Sequence, residues 1–169
     1  MNHGLERLLG QLMNGESLSE EQSETLMTAL AAGSVEPALA GALLVALSMK
    51  GESAEEVRGF ANGMRKVATE VKLDDSLEPI DIVGTGGDGS QSFNISTGSA
   101  LLSAACGLNV AKHGNRSVSS KSGSADLLEF LGYRFPTEAD AVKTQIRETG
   151  FSFLFAPNFH PSMKHIAPI

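Results

Sequence analysis

The sequence predicts an α/β protein: a small all-helical domain over residues 1–72, then an α/β domain over residues 73–169 with a mostly parallel sheet that is incomplete in this chain. Three observations predict it. Apolar residues recur at helical spacing from Leu5 to Val71. After a polar linker, "KLDDSLEP" (Lys72–Pro79), short apolar runs alternate with helical stretches, the pattern of βαβ units. Directly after the first of those runs, four glycines fall within the six positions 84–89, at the carboxyl end of a strand, where open α/β sheets bind ligands.

The elements follow in order. Leu5, Leu8, Leu9, Leu12 and Met13 share one helical face. In "SLSEEQSETLMTALAAG", Ser19 is placed to cap a helix, with Gln22 completing a capping box and Gly33 ending it. "SVEPALAGALLVALSMKG" puts Ser34 before Pro37, which suits a first helical turn, and stops at Gly51. That third helix is apolar nearly all round, which predicts burial on several sides inside a bundle, with a dimer interface as the alternative. Ser53 and Glu56 form a second capping box. Beyond the linker, Ile80–Val83 is expected as a strand, Ser96–Cys106 as a helix, "LNVAK" as a second strand and Ala125–Leu131 as a helix stopped by Gly132. Thr137 is expected to cap a further helix running to Gly150, and "FSFLFA" is a third strand. Three strands fall short of the usual five or six.

Composition narrows the function. A net charge of −7 and a pI near 5.0 argue against a nucleic-acid or membrane-surface binder. One cysteine, Cys106, excludes an internal disulfide and suits a reducing compartment. The start has no secretory pattern, and the longest apolar stretch, Ala38–Met49, is too short to span a bilayer. A cytoplasmic protein is expected.

The loop "GTGGDG" satisfies G-x-G-x-x-G, yet neither standard nucleotide site fits. No acid stands about 20 residues on to hold a ribose, and Gly89 is followed by Ser90 and Gln91 rather than the lysine of a P-loop. A strand, a glycine turn and a helix start still present unpaired N–H groups to an anion. Asn94, Ser96 and Thr97 add polar side chains there; taken alone, Ser96 or Thr97 would be a plain helix cap. Asp88 would repel a phosphate, but suits a sugar hydroxyl or a metal-bound water. Between Gly84 and Ser124 it is the only acid, against Lys112, Arg116 and Lys121, a local charge of +2. Ten serines and eight of the eighteen glycines share this window, which points to a polyanion site. Charge-assisted hydrogen bonds contribute about 1.5–3 kcal/mol each and helix N-termini about 0.3–1. A handful reaches the roughly 8 kcal/mol of micromolar binding.

"DIVGTGGDGSQSFNIST" followed by "AKHGNRSVSSKSGSADLLEFLG" closely resembles the anthranilate phosphoribosyltransferase family of tryptophan biosynthesis, and the helical start looks like that family's first domain. The resemblance implies transfer of phosphoribosyl from phosphoribosyl pyrophosphate (PRPP) to the amine of anthranilate, releasing pyrophosphate with Mg2+ bound. It implies donor contacts from Gly84, Gly87, Asp88, Ser92, Asn94, Ile95, Ser96 and Thr97, with Ser96 a magnesium ligand. It implies that Lys112, His113, Gly114, Asn115, Arg116, Ser117, Val118, Ser119 and Ser120, with Ser124, wrap the donor's phosphates and ribose. Asn115 and Gly84 resemble anthranilate contacts, with His113 and His160 lining the aromatic pocket. No side-chain nucleophile is implied, because anthranilate brings its own neutral amine. Ser92 stands where the family often has threonine and keeps the hydroxyl. A homodimer through the helical domain is implied, with no nucleic acid or membrane partner.

After "HPSMKHIAPI" the family continues with an arginine for anthranilate's carboxylate and an Asp-Glu pair for metal. The chain is therefore expected to be the first part of a longer enzyme, inactive alone. Three rivals stand behind this reading. A pyrimidine-nucleoside phosphorylase would resemble K-x-S-G-R where this chain has "KHGNR". A nucleic-acid-binding relative of the same fold is opposed by the negative charge, and a helical dimerisation fragment would bind no donor.

Overall fold

The computed structural model describes residues 2–84, 93–117 and 121–169. It divides into two units, one of Met1–Ala68 with His160–Ile169 and one of Thr69–Phe159.

The first unit is built on four helices, α1 (Asn2–Met13), α2 (Glu20–Ala31), α3 (Pro37–Lys50) and α4 (Ala54–Val67). Both capping boxes form. Ser19 Oγ accepts from the Gln22 N–H at 3.2 Å while Gln22 accepts from the Ser19 N–H at 2.8 Å, and Ser53 with Glu56 does the same at 3.2 and 2.7 Å. Gly33 and Gly51 follow α2 and α3 with φ of +64° and +80°, the left-handed side that glycine takes without penalty. Glu36, not Ser34, caps α3, accepting from the Leu39 N–H at 3.0 Å. The core gathers Leu5, Leu8, Leu12, Leu18, Leu26, Leu30, Leu43 and Leu47.

Two expectations about faces are corrected. Met13 is 74% exposed, because the buried stripe of α1 ends at Leu12. The apolar helix α3 is buried on one side only: Ala40, Leu43 and Leu47 face the core, while Val45 and Met49 are exposed. Among the described residues, the neighbours of α3 pack on that one face.

α2 and α4 touch backbone to backbone. A Cβ on Gly63 would stand 2.8 Å from Met27 Cβ and 3.0 Å from the Glu24 carbonyl, and one on Gly59 would meet Ser23 Cβ at 2.6 Å. In isolation these glycines weaken a helix by up to about 1 kcal/mol each; here they permit the contact. Gly59→Ala is expected to lower stability by about 1–3 kcal/mol through overpacking, despite alanine's better helix propensity. Urea denaturation measures it, and a rise in the midpoint would mean that the contact is not tight.

Short α9 (Met163–Ile166) completes this unit. Ile166 packs on the leucine core, and the His165 ring lies so close to Gly33 that a Cβ there would be 2.7 Å from Nδ1.

The second unit starts with a 3-10 turn, Asp75–Leu77, and then holds α5 (Ile95–Ala105), β1 (Val110–Gly114), α6 (Ser124–Phe130), α7 (Ala139–Thr149), β2 (Phe151–Phe155) and α8 (Ala156–Phe159). β1 and β2 are parallel, Val110 opposite Phe151 and Gly114 opposite Phe155. The sheet separates two clusters. Val110, Phe151 and Phe153 pack with Ala100 of α5 and with Ala125 and Leu128 of α6; Ala111 and Leu154 pack with Val142 and Ile146 of α7.

The strand expected at Ile80–Val83 shrinks to one parallel bridge, Ile80 to Val110. Its backbone is satisfied at Ile80 by Asn109 and Ala111, at 2.9 and 3.0 Å. Further on, side chains replace the ladder: the His113 N–H donates to Asp81 Oδ1 at 3.3 Å and Lys112 Nζ donates to the Ile82 carbonyl at 2.6 Å. Glu138, one residue past Thr137, sits at the start of α7, and Gly150 ends it with φ of +71°.

Candidate functional site

The described residues of the two motifs lie at the start of α5 and around the end of β1. α5 starts at Ile95, and Asn94 occupies its cap position without capping it. Asn94 Nδ2 instead donates across to the Gly123 carbonyl at 3.3 Å. Ser96 and Thr97 therefore fall inside the first turn and are not its caps. Thr97 is 1% exposed, Ser96 half-buried and Ile95 exposed. Gly84 comes up against this turn, where a Cβ would lie 3.3 Å from Ser96 Oγ.

The second motif leaves β1 at Gly114, which sits where a side chain would strike the Phe153 ring at 2.7 Å and Ser124 Oγ at 2.5 Å. Asn115 is exposed; its carbonyl accepts from Ser124 Oγ and from the Ala125 N–H, each at 3.2 Å. Ser117 and Gly123 are drawn together by one carboxylate oxygen. Asp126 Oδ2 accepts from the Ser117 N–H at 2.9 Å and from the Gly123 N–H at 2.7 Å. Gly123 has φ of −87°, so glycine is needed there for room, not for conformation: a Cβ would collide with the backbone of Arg116 and Ser117.

The three cations are not three open charges. Lys112 is 2% exposed, its ammonium on the Ile82 carbonyl, and burial lowers its pKa against the opposing pull of Asp81. Arg116 is held by both oxygens of Glu129 at 2.6 and 2.9 Å and by Asp126 at 3.2 Å, and lies over the Phe155 ring at 5.6 Å. Those hydrogen bonds, first to Glu129 and then to Asp126, raise the Arg116 pKa further above its ordinary value. Glu129 is lowered chiefly by Arg116, and Asp126 by the two backbone N–H groups. The expected local charge of +2 is thus largely countered by Asp126 and Glu129, which stand just past the window. Lys121 is exposed.

His113 is half-buried on β1, and His160 is half-buried in the helical unit, where its carbonyl accepts from the Met163 N–H at 3.0 Å. Gly87, Asp88, Ser92, Val118, Ser119 and Ser120 lie outside the described residues. Asp126, Phe153 and the Ile82 carbonyl were not anticipated. Asp126 had a signal in its spacing, three residues after Gly123, the arrangement of a helix-start carboxylate.

Among the described residues, no three of His, Cys, Asp and Glu gather as a metal cluster. Ser96 brings one neutral oxygen at a helix start. That fits Mg2+, which takes few protein ligands and completes its shell with water and substrate phosphate oxygens. No helix among the described residues is long and apolar enough to cross a membrane.

Comparison with known proteins gives one answer for both units. Residues 6–68 match the family model described as "Glycosyl transferase family, helical bundle domain", and residues 77–169 match "Glycosyl transferase family, a/b domain". The anthranilate phosphoribosyltransferase of Dehalococcoides mccartyi is 48% identical over 97% of this chain and 48% of its own length. That of a Synechococcus species is 47% identical over 96% of this chain and 47% of its own. Among solved structures, anthranilate phosphoribosyltransferase from Thermus thermophilus superposes with a TM-score of 0.81 at 48% identity, over 95% of this chain and 49% of that one. The enzyme from Saccharomyces cerevisiae, solved in complex with PRPP and Mg, gives 0.85 at 27% identity, over 99% and 50%. The chain spans about half the length of the curated relatives it matches. With a helical bundle followed by an a/b unit, each matched by its own domain model, the chain belongs to this glycosyl transferase family.

Proposed function

We propose that this chain carries the donor-binding part of an anthranilate phosphoribosyltransferase, which moves phosphoribosyl from PRPP to the amine of anthranilate and releases pyrophosphate. The observation that carries the proposal is the meeting of the two motifs at Gly123, through the Asn94 side chain on its carbonyl. That contact brings the start of α5 next to Gly123, which supports a reading in which both motifs serve one ligand.

The chemistry suits these residue types. As pyrophosphate leaves, positive charge grows on the ribose, and the protein's task is to hold the donor and steady the departing charge. N–H groups at the start of α5 and the hydroxyls of Ser96, Ser117 and Ser124 would meet the donor's phosphate and ribose oxygens. Magnesium, when bound, neutralises the leaving diphosphate as a Lewis acid, with Ser96 as the side chain that would hold it. Lys112 acts from below, fixing the Ile82 carbonyl and with it the approach to Gly84. Asn115 and His113 are the proposed anthranilate contacts in this unit, and His160 the one in the helical unit. A homodimer through the helices of residues 1–72, hinged at Lys72–Pro79, and a cytoplasmic location complete the proposal. The exposed Val45 and Met49 on α3 support a partner on that helix.

Calorimetric titration of PRPP into the 169-residue chain, with and without magnesium, tests the core of this. Magnesium-dependent binding is expected, and no binding under either condition would sink the proposal. Ser96→Ala is expected to weaken magnesium-dependent donor binding by about tenfold or more, the loss of one charge-assisted contact. Equal binding by parent and variant in the same titration would remove Ser96 from the metal.

A further inference from the structure

We propose that Asp126 is a positioning residue for the donor site: its Oδ2 holds Ser117 and Gly123 together, and so fixes Ser117 and Ser124 beside the start of α5. This rests on the function proposed above.

A carboxylate three residues into a helix ordinarily accepts one hydrogen bond, from the N–H of the cap residue, here Gly123. The second bond, from Ser117, spans nine residues and caps nothing in α6. Gly123 is in turn the residue whose carbonyl receives Asn94 from α5, and whose bare Cα lets the backbone of Arg116 and Ser117 come close. One oxygen atom therefore sets the spacing between Ser117, Ser124 and the start of α5. The other oxygen, Oδ1, accepts from Arg116 at 3.2 Å, but Arg116 already donates two bonds to Glu129. The guanidinium is a side strut. The two amide bonds are the clamp.

The distinction between clamp and charge can be measured. In Asp126→Asn, a single amide oxygen can still accept from both N–H groups, while the negative charge is gone; in Asp126→Ala both bonds are lost. PRPP affinity in the presence of magnesium is expected to fall at least tenfold in Asp126→Ala and no more than about threefold in Asp126→Asn. Unchanged affinity in Asp126→Ala overturns the proposal, and so does an equal loss in Asp126→Asn and Asp126→Ala, which would make charge the cause. Hydrogen exchange at the Ser117 and Gly123 amides tests the clamp without a ligand: slow in the parent and in Asp126→Asn, fast in Asp126→Ala. If Asp126→Ala does not fold, the parent decides. Added PRPP should slow both amides together, and binding that leaves them unchanged counts against the clamp. A parent that binds no PRPP would defeat the functional reading, while the exchange rates would still judge the clamp.

Discussion

Replacing Glu56 with alanine is expected to cost about 3–5 kcal/mol, the usual penalty for removing one member of a buried, hydrogen-bonded charge pair. Glu56 is fully buried and joins three parts of the helical unit. Its Oε1 accepts from the Leu18 N–H before α2 at 2.9 Å, and its Oε2 accepts from the Ser53 N–H at 2.7 Å and from Lys50 Nζ at 2.8 Å. The alanine variant leaves two backbone donors and a nearly buried ammonium without their acceptor. Chemical denaturation gives the number. Joint replacement of Lys50 and Glu56 by apolar residues of similar volume should recover much of the loss, since it leaves no lone charge. The pH dependence has a definite sign. Burial pushes the Glu56 carboxyl up, but Lys50 and the N–H groups of Ser53 and Leu18 outweigh it, so the folded value lies below the ordinary 4.5. Its contribution is complete above 4.5 and is lost as pH falls through the lower, folded value. A flat stability profile through that range, or a change under about 1 kcal/mol in Glu56→Ala, would show the hub to be inert.

Phe153→Ala is expected to be as damaging, at about 3–5 kcal/mol for a fully buried aromatic. Phe153 is central to β2, paired with Lys112 on β1. Its ring packs against Phe135 at 5.4 Å and supports Gly114 from beneath. Its N–H is satisfied by the Tyr133 hydroxyl at 2.9 Å, which in turn donates to Gln145 at 2.5 Å. Truncation opens a void directly under Gly114, beside Asn115 and Ser124. Donor affinity should therefore fall along with stability, in titrations run well below the melting temperature. Phe153→Leu should retain most of both. Loss of stability with unchanged donor affinity would separate the core from the site.

The local chemistry of the helices was legible in sequence because each capping box and glycine stop depends on residues within one turn. Ser19 with Gln22, Ser53 with Glu56, and Gly33, Gly51 and Gly150 all act where they were read. Burial was less legible. Periodicity gave Leu5, Leu8 and Leu12 their face, but what covers an apolar helix is decided by its neighbours, so Met13, Val45 and Met49 were misjudged. The glycines of α4 look like weak points in a one-dimensional pattern, and only the approach of α2 explains them. At the candidate site, residue types pointed to an anion, but charge counting inside a window missed Asp126 and Glu129, which fold back onto Arg116. It also could not distinguish a displayed lysine from Lys112, which is inverted into the core by the alternation of β1.

The helical unit is discontinuous in sequence, and this bears on the order in which it can assemble. Helices α1 to α4 lie within one continuous stretch, Met1–Ala68, and can pack together as soon as that stretch is made. The placement of His165 on Gly33 and of Ile166 in the leucine core must wait until residues 69–159 have been synthesised, because residues 160–169 follow them in the chain. During vectorial synthesis the bundle thus passes through a state that is nearly built and still open at one seam. A refolding trace of this unit should accordingly have a fast phase for α1–α4 and a slower one reported by the docking of residues 160–169.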